Sequence, residues 1–425
     1  MTDRPSPEAP RILVVADNAS ATFGGEAILP LKYFTLLARR GRDVRLITHA
    51  RNRDALLQTY PDLAERISFT PDTTAHRWLW RIGSRCPGVI RDHLFGNLMG
   101  LVTGWQQRAL ARKLVQAGSI DLVHQPIPVS PAAPSLLHGL GAPVVIGPMN
   151  GAMNYPPGYE DFEGRASHLF VALGRPLAGF INRLIPGKRR AAMLLVANPR
   201  TAAALPVRHV PVVELVENAV DFDLWAGHHR DPPQEGTFRL VFMGRLYPLK
   251  GLAQTLVALA EARARLPDIT LSFDILGDGP DLAVLQAQVA DLGLEDVVTF
   301  RGFLPQHECA SYLAKADALI LASLRECGGA VVLEAMAMGL AVIASDWGGP
   351  ADYLDETCGI LVPPAPRDEF SRRLADAVVT LATTPDLRQT MGQVGAERVR
   401  KHFDWQAKID TIETLYARAL SEADR

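Results

Sequence analysis

The chain has 425 residues and a mass of 46.3 kDa, too much for one ordinary hydrophobic core and suited to two domains of about 200 residues each. Its 48% hydrophobic and 21% charged residues allow a buried core in each domain and exclude a disordered or fibrous chain. The net charge of −2 is a cancellation, because residues 1–230 carry 26 Lys and Arg against 18 Asp and Glu, and the remaining residues carry 18 against 28.

The first half of the chain predicts alternating strands and helices. After a tail at 1–10 that we expect to be disordered, apolar runs predict strands at 11–16, 44–48, 120–123 and 143–146, with a helix at 26–40. A β-loop-α-β order is typical of a parallel sheet covered by helices. We therefore assign 11–224 to an N-terminal Rossmann-like domain.

The second half repeats this pattern. Its predicted strands lie at 239–243, 270–276, 297–300, 318–321, 341–344 and 360–362, and its predicted helices at 252–265, 281–292 and 330–338. We expect a linker at 225–236, a C-terminal domain at 237–400 and a helix at 401–425 that packs back on the N-terminal domain. The predicted fold class is α/β, with two doubly wound domains facing a cleft, where open α/β sheets bind ligands at strand carboxyl ends.

Cysteine usage and hydropathy narrow the class of protein further. The four cysteines are scattered without a C-x-x-C pair, which argues against a disulfide scaffold or a zinc site. No apolar run reaches the roughly 18–20 residues that cross a bilayer. The first ten residues lack the apolar stretch of a secretory signal. We expect a cytoplasmic protein with reduced thiols.

A glycine turn that directly follows a predicted strand has the residues of an anion and hydroxyl site. Gly328 and Gly329 would let backbone N–H groups approach an anion, and the helix expected from Ala330 would direct its positive end at it. Glu326 and Glu334 bracket this turn and could bind the vicinal hydroxyls of a sugar and of a ribose. A surface glutamate and a helix-stabilising glutamate would show the same spacing.

Two cations follow the first predicted strand of the second half. In the run G-R-L-Y-P-L-K-G, the Arg245 guanidinium can donate hydrogen bonds to two phosphate oxygens at once, and Lys250 adds a point charge. Such a pair is suited to a diphosphate leaving group. The alternative is a pair of solvated loop charges.

Together with these two segments, five further motifs lie in order along nearly the whole chain: Phe23-Gly-Gly-Glu26, Asp121-Leu-Val-His124, Glu217-Asn-Ala-Val-Asp221, Ile275-Leu-Gly-Asp-Gly-Pro280 and Arg301-Gly-Phe303. In order and spacing the set resembles the GT-B-fold glycosyltransferases of family 4, the retaining, nucleotide-sugar-dependent group, and within it the polysaccharide-assembling members.

The resemblance implies a role for each matching residue. Arg245 and Lys250 would bind the donor diphosphate, Glu326 the donor sugar hydroxyls and Glu334 the ribose. We take Arg245, Lys250 and Glu326 as the catalytic residues. The implied donor-binding residues are Gly25, Gly302, Phe303, Gly328, Gly329, Ala330 and Glu334.

Two departures from the family pattern affect the site. Many members have E-G-F-G where this chain has Glu326-Cys-Gly-Gly, which keeps the turn but changes its packing. Relatives often carry a histidine after the strand at 143–146, beside the reacting sugar, where this chain has Gly147-Pro-Met-Asn-Gly-Ala152. Asn150 either supplies a neutral hydrogen bond to the sugar or shapes a turn. His124 is a second candidate for a sugar or acceptor contact, although a packed histidine is the commoner role at the end of an apolar strand.

The implied reaction moves a hexose from a GDP- or UDP-linked donor to a saccharide acceptor with retention of anomeric configuration. Arg245, Lys250 and the helix start after the glycines would meet the charge on the departing phosphate, so we expect neither a metal nor a further cofactor.

We interpret two other motifs as structural. Asp221-Phe-Asp223 mimics a D-x-D metal motif, and Gly277-Asp-Gly279 is half of a dinucleotide fingerprint.

Two basic segments of the first half suit docking on an anionic bilayer. Residues 76–113 carry seven basic residues and one acidic residue, with Trp78, Trp80 and Trp105, and residues 165–190 interleave basic and apolar residues without an acidic one. The basic residues of the second segment are Arg165, Arg175, Arg183, Lys188, Arg189 and Arg190. We expect a polyprenyl-linked acceptor at the inner membrane face and no nucleic-acid partner. A packed helix pair with solvated arginines is the alternative.

Two rival functions fit the same motifs. A GT-B sugar-nucleotide epimerase would bind the donor but release an altered sugar without an acceptor. A catalytically silent glycan-binding homologue is expected if the loop at 147–152 abolishes turnover.

Overall fold

The computed structural model of the protein describes residues 9–20, 25–86, 88–163, 177–225, 230–232 and 234–423. The chain divides into two compact units. The first comprises Met1–Ala152, Arg165–Glu217 and Lys408–Arg425, and the second comprises Met153–Gly164 and Asn218–Ala407. Each is an α/β unit built on a parallel sheet, which confirms the predicted fold class.

The first unit has a seven-stranded sheet in the order β3-β2-β1-β4-β5-β6-β7. Its strands are β1 (Ile12–Val15), β2 (Val44–His49), β3 (Ile67–Thr70), β4 (Leu122–Gln125), β5 (Val144–Met149), β6 (Met193–Val196) and β7 (Val212–Glu214). Its helices are α1 (Ile28–Arg39), α2 (Arg53–Thr59), α3 (Thr74–Gly83), α4 (Gly88–Ile90), α5 (Gly96–Gln116), α6, whose described part is 177–184, and α7 (Pro199–Ala203).

The core of this unit follows from the alternation of side chains along the strands. Leu13 and Val15 of β1 lie on one face of the sheet with Val123 and Leu194, and α5 contributes the buried Ala111 to the same cluster. Burying these aliphatic side chains is the main force holding the unit together.

The second unit has a six-stranded sheet in the order β10-β9-β8-β11-β12-β13. Its strands are β8 (Thr237–Met243), β9 (Thr270–Leu276), β10 (Val298–Gly302), β11 (Ala318–Leu321), β12 (Ala341–Ser345) and β13 (Gly359–Val362). Its helices are α8 (Phe222–Trp225), α9 (Leu252–Arg265), α10 (Leu282–Asp291), α11 (Gln306–Lys315), α12 (Ala330–Ala337), α13 (Gly349–Tyr353), α14 (Arg367–Thr383) and α15 (Pro385–His402). Crossover connections of the β-α-β type place the strands of this unit side by side in the sheet.

The strand expected at 120–123 begins two residues later, because Asp121 has another role. Its carboxylate accepts hydrogen bonds from the backbone N of Arg11 at 2.8 Å and from the Arg11 guanidinium, which lowers the pKa of Asp121. The helix expected at 26–40 begins with a 3₁₀ turn at Gly25–Ala27.

The unit boundaries differ from those drawn on the sequence. Residues 153–163 and 218–224 fall in the second unit, although they lie within the range expected for the N-terminal domain. In the stretch expected as a linker, Trp225 is buried at the end of α8, and Arg230 donates to the Gly339 carbonyl at 2.7 Å. The described part of this stretch packs on the second unit and does not act as a free connection.

The last helix, α16 (Trp405–Ala423), returns to the first unit from Lys408 onward. Arg40 donates to Asp410 at 2.6 Å, and the Tyr416 hydroxyl lies 2.7 Å from Nδ1 of His124. Within the described ranges no helix has both the length and the apolar content that crossing a membrane would need.

Candidate active site

The loops at the carboxyl edge of the second sheet are joined to one another by backbone hydrogen bonds. The Gly244 N–H donates to the Leu276 carbonyl at 2.9 Å, and the Gly277 N–H donates to the Gly302 carbonyl at 2.8 Å. The Leu324 N–H donates to the Leu249 carbonyl at 2.8 Å. Residues from four neighbouring strand ends are therefore held in one framework.

Glycine is required where these loops approach most closely. Gly251 has φ +68°, and a Cβ there would lie 1.9 Å from the Ala322 carbonyl oxygen. A Cβ on Gly277 would lie 1.8 Å from the Gly244 carbonyl oxygen. Only glycine permits both the backbone conformation and the contact. This explains the structural role of the G-D-G turn, which the sequence predicts.

The framework brings Lys250 and Glu326 together. Lys250 ends a 3₁₀ turn at Pro248–Lys250, and its ammonium contacts the Glu326 carboxylate. The two side chains are only 18% and 16% exposed, so water screens their attraction less than at an open surface. The Glu326 backbone carbonyl accepts a hydrogen bond from the Gly349 N–H at 2.8 Å. Two predicted catalytic residues are thus direct neighbours.

Arg245 lies on the same loop as Lys250 but is exposed. Its guanidinium lies 5.2 Å from the ring centroid of Tyr247. A cation held against an aromatic face keeps its donors available to an anion.

The glycine turn after β11 leads directly into α12. Gly328 is buried, Gly329 precedes the helix, and Ala330 is its first residue. A Cβ on Gly329 would lie 3.1 Å from Cγ of Glu326, so the turn packs against that side chain. The positive end of α12 is therefore adjacent to Glu326.

Glu334 is half-buried on α12, and its Oε1 accepts a hydrogen bond from Nε2 of Gln306 at 2.7 Å. Nothing in the sequence indicates a role for Gln306, which begins α11, because a single glutamine in a polar segment carries no signal of its own. This hydrogen bond joins the middle of α12 to the first residue of α11.

Gly302 is the last residue of β10, and Phe303 follows it. The Phe303 side chain is 72% exposed, and the preceding Arg301 is fixed by a 2.6 Å hydrogen bond from its Nε to Oδ1 of Asp274. An exposed aromatic ring on a fixed backbone is suited to a planar partner.

Gly25 is exposed and belongs to the first unit, in the 3₁₀ turn before α1. Phe23 and Gly24 of the same motif lie outside the described residues.

His124 has the packed role that its place at the end of an apolar strand favours, and it is not placed to contact a sugar or an acceptor. The ring is fully buried on β4, with Nε2 2.6 Å from the Gly147 carbonyl oxygen and Nδ1 2.7 Å from the Tyr416 hydroxyl. Both ring nitrogens are therefore bound by the protein. Burial lowers the pKa of His124 to about 4. His124 is a structural residue of the core.

Asn150 also points into the protein. It is buried, its Nδ2 donates to Oε1 of Glu217 at 2.7 Å, and its Oδ1 accepts from Nδ2 of Asn198 at 3.2 Å. Lys408 donates to the backbone carbonyl of Glu217 at 2.9 Å, and burial lowers the pKa of Lys408. The hydrogen bonds commit the Asn150 amide to shaping the loop after β5, and the sugar-contact role is withdrawn.

The structure also corrects the position expected for Lys188. We expected it on a membrane-facing surface, but it is 2% exposed, and its Nζ donates to the backbone carbonyls of Pro131 at 2.6 Å and Ser130 at 3.2 Å. Burial lowers the pKa of Lys188 to about 7. By contrast, Arg189 and Arg190 are exposed. Arg165 and Arg175 lie outside the described residues.

The tryptophans of the first basic segment are on the surface. Trp78 and Trp80 of α3 are 62% and 66% exposed, whereas His76 of the same helix is buried and its Nε2 lies 3.0 Å from Oγ1 of Thr103. On α5, Trp105 is 58% exposed. The outer face of α3 is thus apolar as well as basic, which is unusual for a solvated helix face.

The D-x-D sequence forms a turn, in which the Asp223 N–H donates to Oδ1 of Asp221 at 3.3 Å. Over the part of the chain that the structure describes, no three His, Cys, Asp or Glu side chains are grouped so that they could hold a metal ion. All four cysteines are thiols.

Comparison with known proteins gives matches to both sequence and fold. Residues 228–398 match the family model "Glycosyl transferases group 1". The D-inositol 3-phosphate glycosyltransferase of Paenarthrobacter aurescens is 35% identical over 188 residues, which cover 44% of this chain and 45% of that protein. The chain spans about half the length of the curated relatives it matches.

Several solved structures cover nearly the whole chain. A glycosyltransferase of Rickettsia africae has a TM-score of 0.69 at 14% identity, covering 97% of this chain and 99% of that one. The Anabaena protein HepE, crystallised with UDP, has a TM-score of 0.68 at 17% identity, covering 96% of this chain and 100% of that one. These likenesses show the GT-B fold.

Proposed function

We propose that the protein is a retaining glycosyltransferase of family 4 that moves a hexose from a nucleotide sugar to a saccharide acceptor. The observation that carries this proposal is the pairing of Lys250 with Glu326 at the carboxyl edge of the second sheet, beside Arg245 and the start of α12. The match of residues 228–398 to a glycosyltransferase family supports it. Structural neighbours crystallised with UDP and UDP-glucose support a nucleotide sugar as donor.

The main chemical task of the site is to stabilise the departing diphosphate. When the bond from the anomeric carbon to the diphosphate breaks, negative charge grows on the β-phosphate and positive charge on the sugar ring. Lys250, the exposed Arg245 and the N–H groups that begin α12 are the positive groups assigned to the phosphate. The Glu326 carboxylate, next to Lys250, is assigned to the hydroxyls of the sugar. This reaction needs no metal, and the GDP- or UDP-linked hexose is the only small molecule besides the acceptor.

We propose front-face attack as the route to retention. The departing phosphate oxygen accepts the proton of the acceptor hydroxyl as the new glycosidic bond forms, so no protein carboxylate is needed as a nucleophile. Glu326 is already committed to Lys250, which fits a binding role better than a nucleophilic one.

Exposed side chains of the first unit support the proposal that the acceptor is lipid-linked, as in exopolysaccharide or cell-surface glycan assembly. Trp78, Trp80 and Trp105 are exposed on a surface with many arginines, and Leu177, Phe180 and Leu184 of α6 are 51%, 57% and 66% exposed. Exposed apolar side chains beside cations suit the interface of an anionic bilayer. We propose that this unit docks peripherally on the inner membrane face.

The donor assay separates the proposal from its rivals. Purified protein is incubated with GDP- and UDP-linked hexoses and membrane extract, and release of nucleoside diphosphate is measured. We expect release that depends on the extract. A free altered sugar made without extract would identify an epimerase, and no release with any donor would identify a silent glycan-binding protein.

Two variants test the site in that assay. Lys250→Ala and Glu326→Ala should each reduce release by about 10²–10³-fold. The first variant removes a positive group assigned to the departing phosphate, and the second removes the carboxylate assigned to the sugar hydroxyls. The matched controls, Lys315→Ala and Glu356→Ala, replace exposed residues of the same unit and should retain activity. Wild-type release from both site variants would refute the assignment.

A vesicle assay tests the membrane proposal. Replacing Trp78 and Trp80 together by serine, or Arg189 and Arg190 by glutamine, should weaken co-sedimentation with phosphatidylglycerol vesicles. Val284→Ser, which alters a 69% exposed apolar residue of the second unit, is the control. Undiminished sedimentation of both double variants would remove membrane docking from the proposal.

A further inference from the structure

The chain leaves the first unit after Ala152 and contributes residues 153–163 to the second unit. We call these residues the strap. They follow β5 in sequence, yet they contact the loops that follow β11 and β12 and the start of α14. The strap therefore adds contacts to the second unit that its own β-α-β succession does not supply.

The beginning of the strap lies against the backbone of Glu326. Trp347 donates from its indole Nε1 to the Asn154 carbonyl at 2.9 Å. Met153 is buried, and a Cβ built on Gly348 would lie 2.2 Å from Cε of Met153 and 2.4 Å from the Glu326 carbonyl oxygen. The Met153 side chain and the Glu326 carbonyl oxygen therefore both lie against the bare Cα of Gly348.

The next strap residue contacts the neighbour of Glu326. The Arg325 guanidinium lies 5.4 Å from the ring centroid of Tyr155, a cation–π distance. Contacts therefore reach the Glu326 backbone from two sides, through Gly348 and through Arg325. We call Met153, Asn154 and Tyr155 the near anchor.

The end of the strap is fixed separately on α14. Arg367 donates to the Gly158 carbonyl at 3.1 Å and to Oδ1 of Asp161 at 2.9 Å, and its guanidinium lies 5.0 Å from the Tyr159 ring centroid. Tyr159 is fully buried, and its ring lies 6.4 Å from that of Phe370. We call this set the far anchor, and it contains no residue of the proposed site.

We propose that the strap positions Glu326, so that its carboxylate stays against the Lys250 ammonium and in the proposed reaction against the donor sugar. This inference rests on the proposed function of Glu326. Met153 and Tyr155 are positioning residues, because they act on Glu326 through Gly348 and through the side chain of the adjacent Arg325.

The loop that carries Glu326 gives a physical reason for such support. Gly328 and Gly329 follow Glu326, and Gly348 and Gly349 lie across from it, so few side chains restrain this backbone. Glycines permit close approach but leave a loop more conformational freedom. A displacement of about 1 Å at a catalytic group can cost about 10²-fold in rate.

Steady-state kinetics on the full-length protein test the proposal. Met153→Ala and Trp347→Phe release the near anchor, and each should lower kcat by about 10-fold or more with little change in the KM for the nucleotide sugar. Met153→Leu, which refills the same space, should restore kcat. Asp161→Asn at the far anchor is the matched control and should keep both constants.

A thiol reaction gives a second readout that needs no turnover. Cys327 follows Glu326 and is half-buried. In a Cys86→Ser background, its reaction with a thiol reagent should be several-fold faster in Met153→Ala and Trp347→Phe than in the parent or in Asp161→Asn, because a looser loop opens more often.

The two readouts distinguish failure of the strap from failure of the proposed function. If the wild-type chain turns over no nucleotide sugar, the proposed function fails, and faster Cys327 reaction in the near-anchor variants still supports positioning by the strap. If Cys327 reacts with the thiol reagent at the parent rate in both near-anchor variants, the inference is overturned, whatever their turnover of the nucleotide sugar.

Discussion

The buried His124 predicts a specific loss of stability in acid. Its ring packs edge-on to Tyr33 with the centroids 4.8 Å apart, and both nitrogens are hydrogen-bonded inside the first unit. Burial lowers the pKa of His124 from 6.5 to about 4. Below pH 6.5, His124 therefore binds a proton in the unfolded chain but stays neutral in the folded chain. The free energy of unfolding consequently decreases as the pH falls.

The magnitude follows from the pKa difference. One pKa unit corresponds to about 1.4 kcal/mol, so the full effect between pH 6.5 and pH 4 is on the order of 3 kcal/mol. Above pH 6.5 histidine is neutral in both states and contributes no pH dependence. Below the folded pKa both states are protonated, so the loss levels off.

The variant His124→Gln isolates this contribution. The glutamine amide can still donate to the Gly147 carbonyl but does not titrate, so the variant should be less stable at pH 7 and should lose less stability toward pH 4.5. Urea unfolding of both proteins at pH 7.0, 5.5 and 4.5 measures the difference, in which the titrations of all other groups cancel.

The control for this experiment is His307→Gln, at a side chain that is 75% exposed. Its stability should follow that of the wild-type protein at every pH. If the wild-type protein and His124→Gln lose stability in parallel between pH 7.0 and 4.5, the reasoning about the buried ring is refuted.

Three further substitutions and one control test the packing within the two units. Gly251→Ala should destabilise the second unit and abolish activity, because the new Cβ would meet a backbone carbonyl oxygen at 1.9 Å, whereas Gly293→Ala, with nothing within 4 Å, should cost about 1 kcal/mol in urea unfolding. Lys188→Met should lower the melting temperature, because two backbone carbonyls lose their donor, and should leave vesicle binding unchanged. Asp317→Ala should cost about 3–5 kcal/mol in urea unfolding, because its fully buried carboxylate pairs with Arg239 at 3.0 Å; wild-type stability would contradict this account of the pair.

The loops of the candidate site could be predicted from local pattern. A glycine-rich turn between an apolar strand and a helix can be recognised from the sequence, and it predicts Arg245 and Gly328 at strand ends and Glu334 on the helix that follows. The contact between Lys250 and Glu326 could not be read in the same way. Those residues are 76 positions apart, and their contact depends on the order of strands in the sheet.

Burial explains the predictions that failed. In the sequence Lys188 precedes two arginines and reads as one of three surface cations, yet it alone is inside, donating to backbone carbonyls about 57 residues earlier. Asn150 reads as a polar loop residue, but Glu217 and Asn198 meet it from other strand ends. Local composition does not distinguish an exposed polar side chain from one whose partners arrive from elsewhere in the chain.

The sequence by itself determined the α/β class, the alternation of strands and helices and the glycine turns, because each depends on side-chain periodicity or on backbone freedom within a few residues. Only the tertiary structure decided that His124 and Lys188 are buried, that Lys250 contacts Glu326, and that the strap at 153–163 joins the second unit. Each of these depends on long-range packing, in which the free energy comes from partners distant in sequence.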